Sequence, residues 1–269
     1  ALTAWKRIPD VDMARVAAEV RAAAEETGTV IAAVSLFGNP LEDDEEADVA
    51  RSDFRRLIEV SPDFGCDLVT GFTGALRGRP IPESRDRLRE VFTPLAGLAA
   101  ERGVRIAFEN CKMGSTWQSA GSNVPFNHDG MELLFETLPQ ENVGLEWEPA
   151  HLIQQFADPI DNLHDWVHRI FHVHGKDAWV RWNYIKRHGV GGPEKIAFHR
   201  HPGFGDSNWN HIISELRLAG YRGSIDIEGW HDPVYRDELE MTGQLRALRY
   251  LKECRGGEFV ENPEGLKNH

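Results

Sequence analysis

The 269-residue chain has only three cysteines, Cys66, Cys111 and Cys254, odd in number and far apart. That excludes a disulfide ladder, and without a C-x-x-C pair the common zinc-ribbon and redox motifs are excluded as well. Such cysteine usage suits a reducing compartment, so a cytoplasmic location is expected. No apolar run approaches the ~18 residues of a membrane-spanning helix, and no leader pattern is read at the start. Basic residues are scarce beside acidic ones, 30 Lys plus Arg against 43 Asp plus Glu, a net charge of −13. That field repels phosphate backbones and anionic headgroups, and no local basic patch offsets it, so neither nucleic acid nor membrane is an expected partner. No G-x-G-x-x-G follows any apolar run, which leaves a dinucleotide-binding sheet unsupported. No glycine-rich phosphate cradle appears either, so a non-phosphorylated small molecule is the expected substrate.

What is present is an alternation. Short apolar runs at residues 30–37 (VIAAVSLF), 67–72 (DLVTGF), 104–108 (VRIAF), 143–147 (VGLEW), 170–173 (IFHV) and 224–227 (SIDI) read as strands. Helical patterns cover residues 12–26, 84–102, 130–138, 163–169 and 209–219. Strands alternating with helices of this length indicate βαβ units and a parallel sheet. With the dinucleotide fold set aside, the expectation is an α/β (β/α)8 TIM barrel, a single domain over residues 1–269 with residues 254–269 as a polar tail. Six runs, plus ALTAW at the start as the tail of another, fall short of eight, so the supplied chain is expected to lack its first strand or strands.

The chemistry sits where the strands end. IAFEN ends in Glu109, LEWEP in Glu148, FHVHGKD in His174 and Asp177, and SIDIEGW in Glu228. In a parallel barrel these ends share one face, where active sites lie. Strands are poor places for carboxylates, and burying an unpaired one costs several kcal/mol. A divalent cation is the simplest partner for three carboxylates and an imidazole, and mostly oxygen ligands suit Mn²⁺, Mg²⁺ or Co²⁺ better than a structural zinc. Taken singly, a strand-end glutamate is commonly a salt-bridge partner and a histidine such as His174 a core residue; it is the four together that point to a metal. His151 follows Glu148 by three residues at the rim, and Glu146 shares the parity of Glu148.

IAFENC, GLEWEPAHL, IFHVHGKDA, RHPGFGDSNW and GYRGSIDIEGWHDP together resemble the xylose isomerase-like barrels of the sugar phosphate isomerase/epimerase family, over roughly residues 28–252. The resemblance implies one divalent metal, Mn²⁺ first and Mg²⁺, Co²⁺ or Zn²⁺ as alternatives, held by Glu109, Glu148, His174 and Glu228. It also implies His151 and Arg200 on the substrate. One departure stands out: Glu148 occupies a position where the family usually has Asp. The implied reaction is proton transfer beside a carbonyl through an enediolate, with Glu109 and Glu228 on opposite sides of the sugar and His151 assisting. Lys176 and Asp177 are expected to steady the ring of His174 or a nearby charge.

Trp117, Trp147, Trp179, Trp182 and Trp230 fall at or after strand ends, and residues 178–201 form a long segment rich in aromatics. Aromatic faces suit sugars and planar aglycones, so Trp117, Trp179 and Trp230 join His128 as expected substrate contacts, with a satellite core as the plainer alternative. The first functional reading is a sugar isomerase or epimerase. The alternative is a metal-dependent lyase or deglycosidase acting on 3-oxo-glycosides, C-glycosides included, with His151 or His128 as base. Third comes an endonuclease IV-like repair enzyme, to which His199 and His201 around Arg200 are similar, although no histidine precedes His128. A non-enzymatic sugar-binding barrel is the last. Homo- or hetero-oligomerisation is left open.

Overall fold

In the computed structural model, which describes residues 1–262, the alternation builds nine strands and nine α-helices. The strands are β1 (Leu2–Trp5), β2 (Val34–Phe37), β3 (Leu68–Gly71), β4 (Arg105–Glu109), β5 (Val143–Trp147), β6 (Ile170–Gly175), β7 (Asp177–Val180), β8 (Ala197–Arg200) and β9 (Ile225–Ile227). Seven of them form one parallel sheet in the order β1-β2-β3-β4-β5-β6-β9, one strand fewer than a complete (β/α)8 barrel among the described residues. The sheet curves until its outer strands approach each other: the Ala1 amino group lies 3.0 Å from Asp226 on β9.

Register fixes which residues face the barrel interior, because successive side chains point to opposite faces. Trp5 pairs with Phe37, Ser35 with Thr70, Thr70 with Ala107, Glu109 with Glu146, Glu146 with His172 and His174 with Asp226. These residues share one alternation, and a register shift between Leu145 and Glu146 keeps β5 and β6 in step. The bond between the Ser35 and Thr70 hydroxyls, 2.7 Å, shows both side chains inside the barrel floor.

The helices are α1 (Met13–Thr27), α2 (Glu45–Val60), α3 (Arg85–Glu101), α4 (His128–Thr137), α5 (Pro149–Ile153), α6 (Pro159–Trp166), α7 (Trp182–His188), α8 (Trp209–Leu218) and α9 (Glu240–Cys254). Asp12, Asp44, Asn127, Asp158 and Asn208 cap their helices by accepting backbone N–H groups. The longer helices bury one stripe against the sheet, whereas α7 buries no residue. On α3 it is Leu88, Val91, Phe92, Leu95, Ala96 and Ala99, and Phe92 meets Phe54 and Phe108 edge-on at 5.4 and 4.7 Å. The sequence pattern missed α2 and α9, whose buried stripes include Ala47 and Ala50, and Gly243 and Ala247, respectively; small residues blur the apolar period.

The segment expected as an extended loop, residues 178–201, is instead an antiparallel hairpin of β7 and β8 with α7 between them. Val180 and Ala197 are buried under it with Ala178, whereas Trp179 lies outside, stacked on Phe198 at 6.1 Å. Of the polar tail expected over residues 254–269, residues 263–269 lie outside the described residues. No helix among the described residues is long and apolar enough to cross a membrane.

Candidate metal centre

Glu109 is the last residue of β4, Glu148 follows β5, His174 lies in β6 and Glu228 follows β9. Their ligand atoms lie within 4.8 Å of one another. Backbone locks hold this arrangement. Asn110 accepts the Glu148 backbone N–H at 2.7 Å and donates to the Glu148 carbonyl at 2.9 Å, tying the end of β4 to the end of β5. Asn123 donates to the carbonyls of Glu109 and Cys111 at 2.7 and 2.9 Å. Both asparagines serve the site, and the sequence offered only the N of IAFEN as a hint.

The imidazole of His174 is aimed. Its Nδ1 lies 3.2 Å from Glu228 Oε2 and 3.8 Å from both Glu109 Oε1 and Glu148 Oε2. Its Nε2 lies 3.1 Å from Glu146 Oε1, and Glu146 Oε1 is also 2.9 Å from His172 Nδ1. Glu146, two residues before Glu148, therefore clasps the far side of the ring. A carboxylate behind a ligating histidine fixes both its tautomer and its orientation. Of Lys176 and Asp177, expected to steady the ring or a nearby charge, Lys176 holds a nearby charge and Asp177 does neither. Lys176 Nζ bonds Glu228 at 2.7 Å, and Asp177 accepts four backbone N–H groups, from Ala178, Gly203, Gly205 and Ser207.

Burial without full compensation shapes the electrostatics. Burial pushes the Glu109 carboxyl up to about 8, against the pull of His174. It also raises Glu148, with Lys176 and His174 opposing. Burial acts on Glu146 as well, but His174 and His172 outweigh it and hold that carboxylate at about 2. His174 is raised well above the usual imidazole range because Glu146, Glu109 and Glu148 overcome burial. Glu228 is held well below the carboxylate range by Lys176 and His174 despite its burial. In this state protons and one ammonium neutralise the carboxylates.

The fit to a divalent cation can be read from the polar atoms. Glu148 Oε1 and Oε2, Glu228 Oε2 and His174 Nδ1 are buried and have no hydrogen-bond partner. Buried polar atoms are nearly always satisfied, so four converging unsatisfied donors of electron pairs fit a cation. Glu148, the residue that departs from the pattern the resemblance implies, places a carboxylate oxygen in the cluster.

His151 Nε2 stands 3.0 Å from Glu148 Oε1, yet neither ring nitrogen makes a hydrogen bond. Burial, Lys176 and His199 keep it neutral, well below its ordinary value. His199, at 4.8 Å ring to ring, lines the same wall and is itself driven to about 3 by burial and Lys176. Arg200 is bound to Asp232 at 3.1 Å and lies over Phe204. Trp117 packs against the main core, Trp179 and Trp230 are exposed, and Trp230 meets His231 edge-on. His128 lies outside the sheet between α4 and α6, with Trp166, Glu132 and Asp165 as neighbours. The structure thus brings Glu109, Glu148, His174, Glu228 and His151 together, and places Trp117 and His128 among other partners.

The chain is 28% identical to an inosose dehydratase of Clostridium perfringens over 170 residues, 62% of this chain and 53% of the relative. It therefore spans about half the length of that relative. Among solved structures, the 3-keto-D-glucoside 4-epimerase of Escherichia coli superposes with a TM-score of 0.67 at 18% identity, covering 90% of this chain and 86% of the other. A zinc-containing IolI protein superposes at 0.62 and 19% identity, covering 91% and 80%. At such identities the solved structures speak to the fold. Residues 2–254 match the xylose isomerase-like TIM barrel family, and the chain belongs to it.

Proposed function

We propose that this chain is a divalent-metal-dependent lyase that removes a proton beside the ketone of a cyclic polyol or oxidised sugar and expels the oxygen substituent on the next carbon. The observation that carries the reading is the convergence of Glu109, Glu148, His174 and Glu228, with unpartnered buried atoms on the last three. The similarity to inosose dehydratases supports elimination over simple isomerisation. Glu109, Glu148, His174 and Glu228 would hold the cation, which when bound would polarise the ketone and stabilise the developing enediolate or enolate charge.

The remaining work falls to the chain's own side chains. Glu228 is held ionised by Lys176, 2.7 Å away, so it carries no proton and can accept one from the C–H that the cation would acidify. Glu109 stands across the cluster and can handle a proton on the other side. His151, neutral and with both nitrogens free, orients a hydroxyl and relays a proton to the departing oxygen. Buried walls at Cys111 and His199 restrict water around these groups, which strengthens each electrostatic contact.

A second reading, epimerisation, keeps the same base and ends with reprotonation at the same carbon; Glu109 as a second proton carrier beside Glu228, among the cluster's three carboxylates, favours it. Incubation of the Mn²⁺-supplemented protein with 2-keto-myo-inositol in D₂O separates the two. Elimination gives an enone and loss of one hydroxyl; epimerisation gives deuterium at the carbon beside the ketone with all oxygens retained. Glu228→Gln is expected to abolish either. Neither product from keto-inositol or from free ketohexoses, with metal bound, would contradict both readings.

A further inference from the structure

Beside the four-residue cluster lies a thiol that proton transfer does not use. A carboxylate oxygen of Glu109, the Cys111 sulfur and a ring nitrogen of His151 lie within 4.8 Å of one another. The other two thiols join no such group among the described residues. Cys66 Sγ donates to the Leu68 carbonyl at 3.4 Å, and Cys254 ends α9 on the far side of the chain's order.

The fold builds this group by the same locks that hold the carboxylates. Glu109 closes β4 and Cys111 stands two residues on, the spacing that brings side chains to one side of an extended chain. One amide, that of Asn123, binds the carbonyls of both residues. Asn110 fixes the backbone of Glu148, and α5, which starts at the next residue, brings His151 to the sulfur. Phe37 and Phe72 pack against Cys111, with Met113 beside them. An independent sign of a ligand comes from His151, which is 5% exposed and has no hydrogen bond at either ring nitrogen. Buried polar atoms are nearly always satisfied, so an idle imidazole beside a thiol and a carboxylate fits a missing electron-pair acceptor.

The two donor sets differ in kind. Glu109, Glu148, His174 and Glu228 offer oxygens and one nitrogen, which suit Mn²⁺ or Mg²⁺. Glu109, Cys111 and His151 offer oxygen, sulfur and nitrogen, which suit Zn²⁺ and softer ions. We propose that Glu109, Cys111 and His151 form a second cation position, selective for a thiophilic divalent ion of the Zn²⁺ and Cd²⁺ class, which competes with the first position because Glu109 serves both. Burial and the charges of Glu109 and Glu148 keep the thiol protonated, so coordination forms the sulfur–metal bond and releases that proton to solvent. An ion held here draws Glu109 from the four-residue cluster and occupies a nitrogen of His151. A thiophilic ion therefore blocks the site that Mn²⁺ would fill. The position depends on these three donors and not on which reaction the first cation serves.

The probe is Cd²⁺ alone, added to the chelator-treated full chain, and the readout is the ultraviolet charge-transfer band of a thiolate bound to Cd²⁺. Calorimetry gives Mn²⁺ affinity in parallel. The wild type is expected to develop the band and to saturate. Cys111→Ser should abolish it with Mn²⁺ affinity retained, whereas Cys254→Ser should keep it. His151→Ala should weaken Cd²⁺ binding, read on the band, roughly tenfold or more, which coordination by a lone thiol would not show. Saturating Mn²⁺ should weaken it too, because Glu109 is shared. No band in the wild type, a band that survives Cys111→Ser, or Cd²⁺ affinity unmoved by His151→Ala or by bound Mn²⁺ would overturn the second position. A band that depends on Cys111 and His151, in a protein that takes up no Mn²⁺, would uphold it and count against the four-residue cation site.

Discussion

The two halves of the barrel mouth are built alike and differ in chemistry. On β1 to β3 the strand-end positions carry Trp5, Phe37 and Phe72; on β4, β5, β6 and β9 they carry Glu109, Glu148, His174 and Glu228. Backbone geometry is shared, since parallel pairing runs from Trp5 and Phe37 through to His174 and Asp226 with one register shift at Leu145–Glu146. The aromatic half satisfies itself by packing ring on ring. The charged half leaves buried oxygens and a ring nitrogen unpartnered. Parallel strands therefore supply positions, and the residue type at each position decides whether it folds or reacts.

The largest expected effect breaks the charged half alone. Glu148→Gln should reduce Mn²⁺ affinity by more than the ~10–100-fold typical of losing an outer partner, because a ligand itself is removed. Calorimetry on the chelator-treated protein checks this, and Trp5→Ala should leave the affinity unchanged. Next comes pH. Below about 8 Glu109 keeps its proton, and His174 keeps one too, so a cation must displace protons to bind. Affinity is then expected to rise by roughly tenfold per pH unit for each displaced proton, and to level off once the metal-free site has lost them. Titrations between acid and mildly alkaline pH would show a flat profile if the cation bound elsewhere.

Smaller still is the effect of Glu146→Gln, which keeps the shape but weakens the hold on His174 Nε2. Mn²⁺ affinity should fall ~10–100-fold, with folding intact by circular dichroism. Asp177→Ala should act on stability and not on metal: four backbone donors lose their acceptor, a cost of ~2–3 kcal/mol that thermal melting would register. The smallest change is His128→Ala, an exposed pair outside the sheet, expected to stay within ~0.5 kcal/mol of wild type with unaltered metal binding.

How much of this was legible beforehand depends on distance along the chain. Glu109, Glu148, His174 and Glu228 each end an apolar run, so their common face follows from strand periodicity and parallel topology. The strands themselves were readable for the same reason. Glu146 was not assignable, because its partners His172 and His174 lie on β6 and meet it only through register, which includes an irregular step. His199 escaped because residues 178–201 read as a loop; only the β7–β8 hairpin carries it back to His151. The ring cluster of Trp5, Phe37 and Phe72 was hidden in a different way. Phe37 and Phe72 look like ordinary core residues at the ends of apolar runs, and nothing local says that Trp5 stands over both. Among the tryptophans near strand ends, Trp147 is wholly buried as its strand pattern implied, bonded to Asn162, and Trp117 packs against the main core.

The most direct test of the central claim is the metal stoichiometry of the chelated and reloaded protein, measured by elemental analysis for wild type and Glu148→Gln. One divalent ion per chain in the wild type and none retained in the variant is the predicted result. Equal metal content in both proteins, or none in the wild type after loading, would contradict it and leave Glu109, Glu148, His174 and Glu228 as a buried ion-pair network.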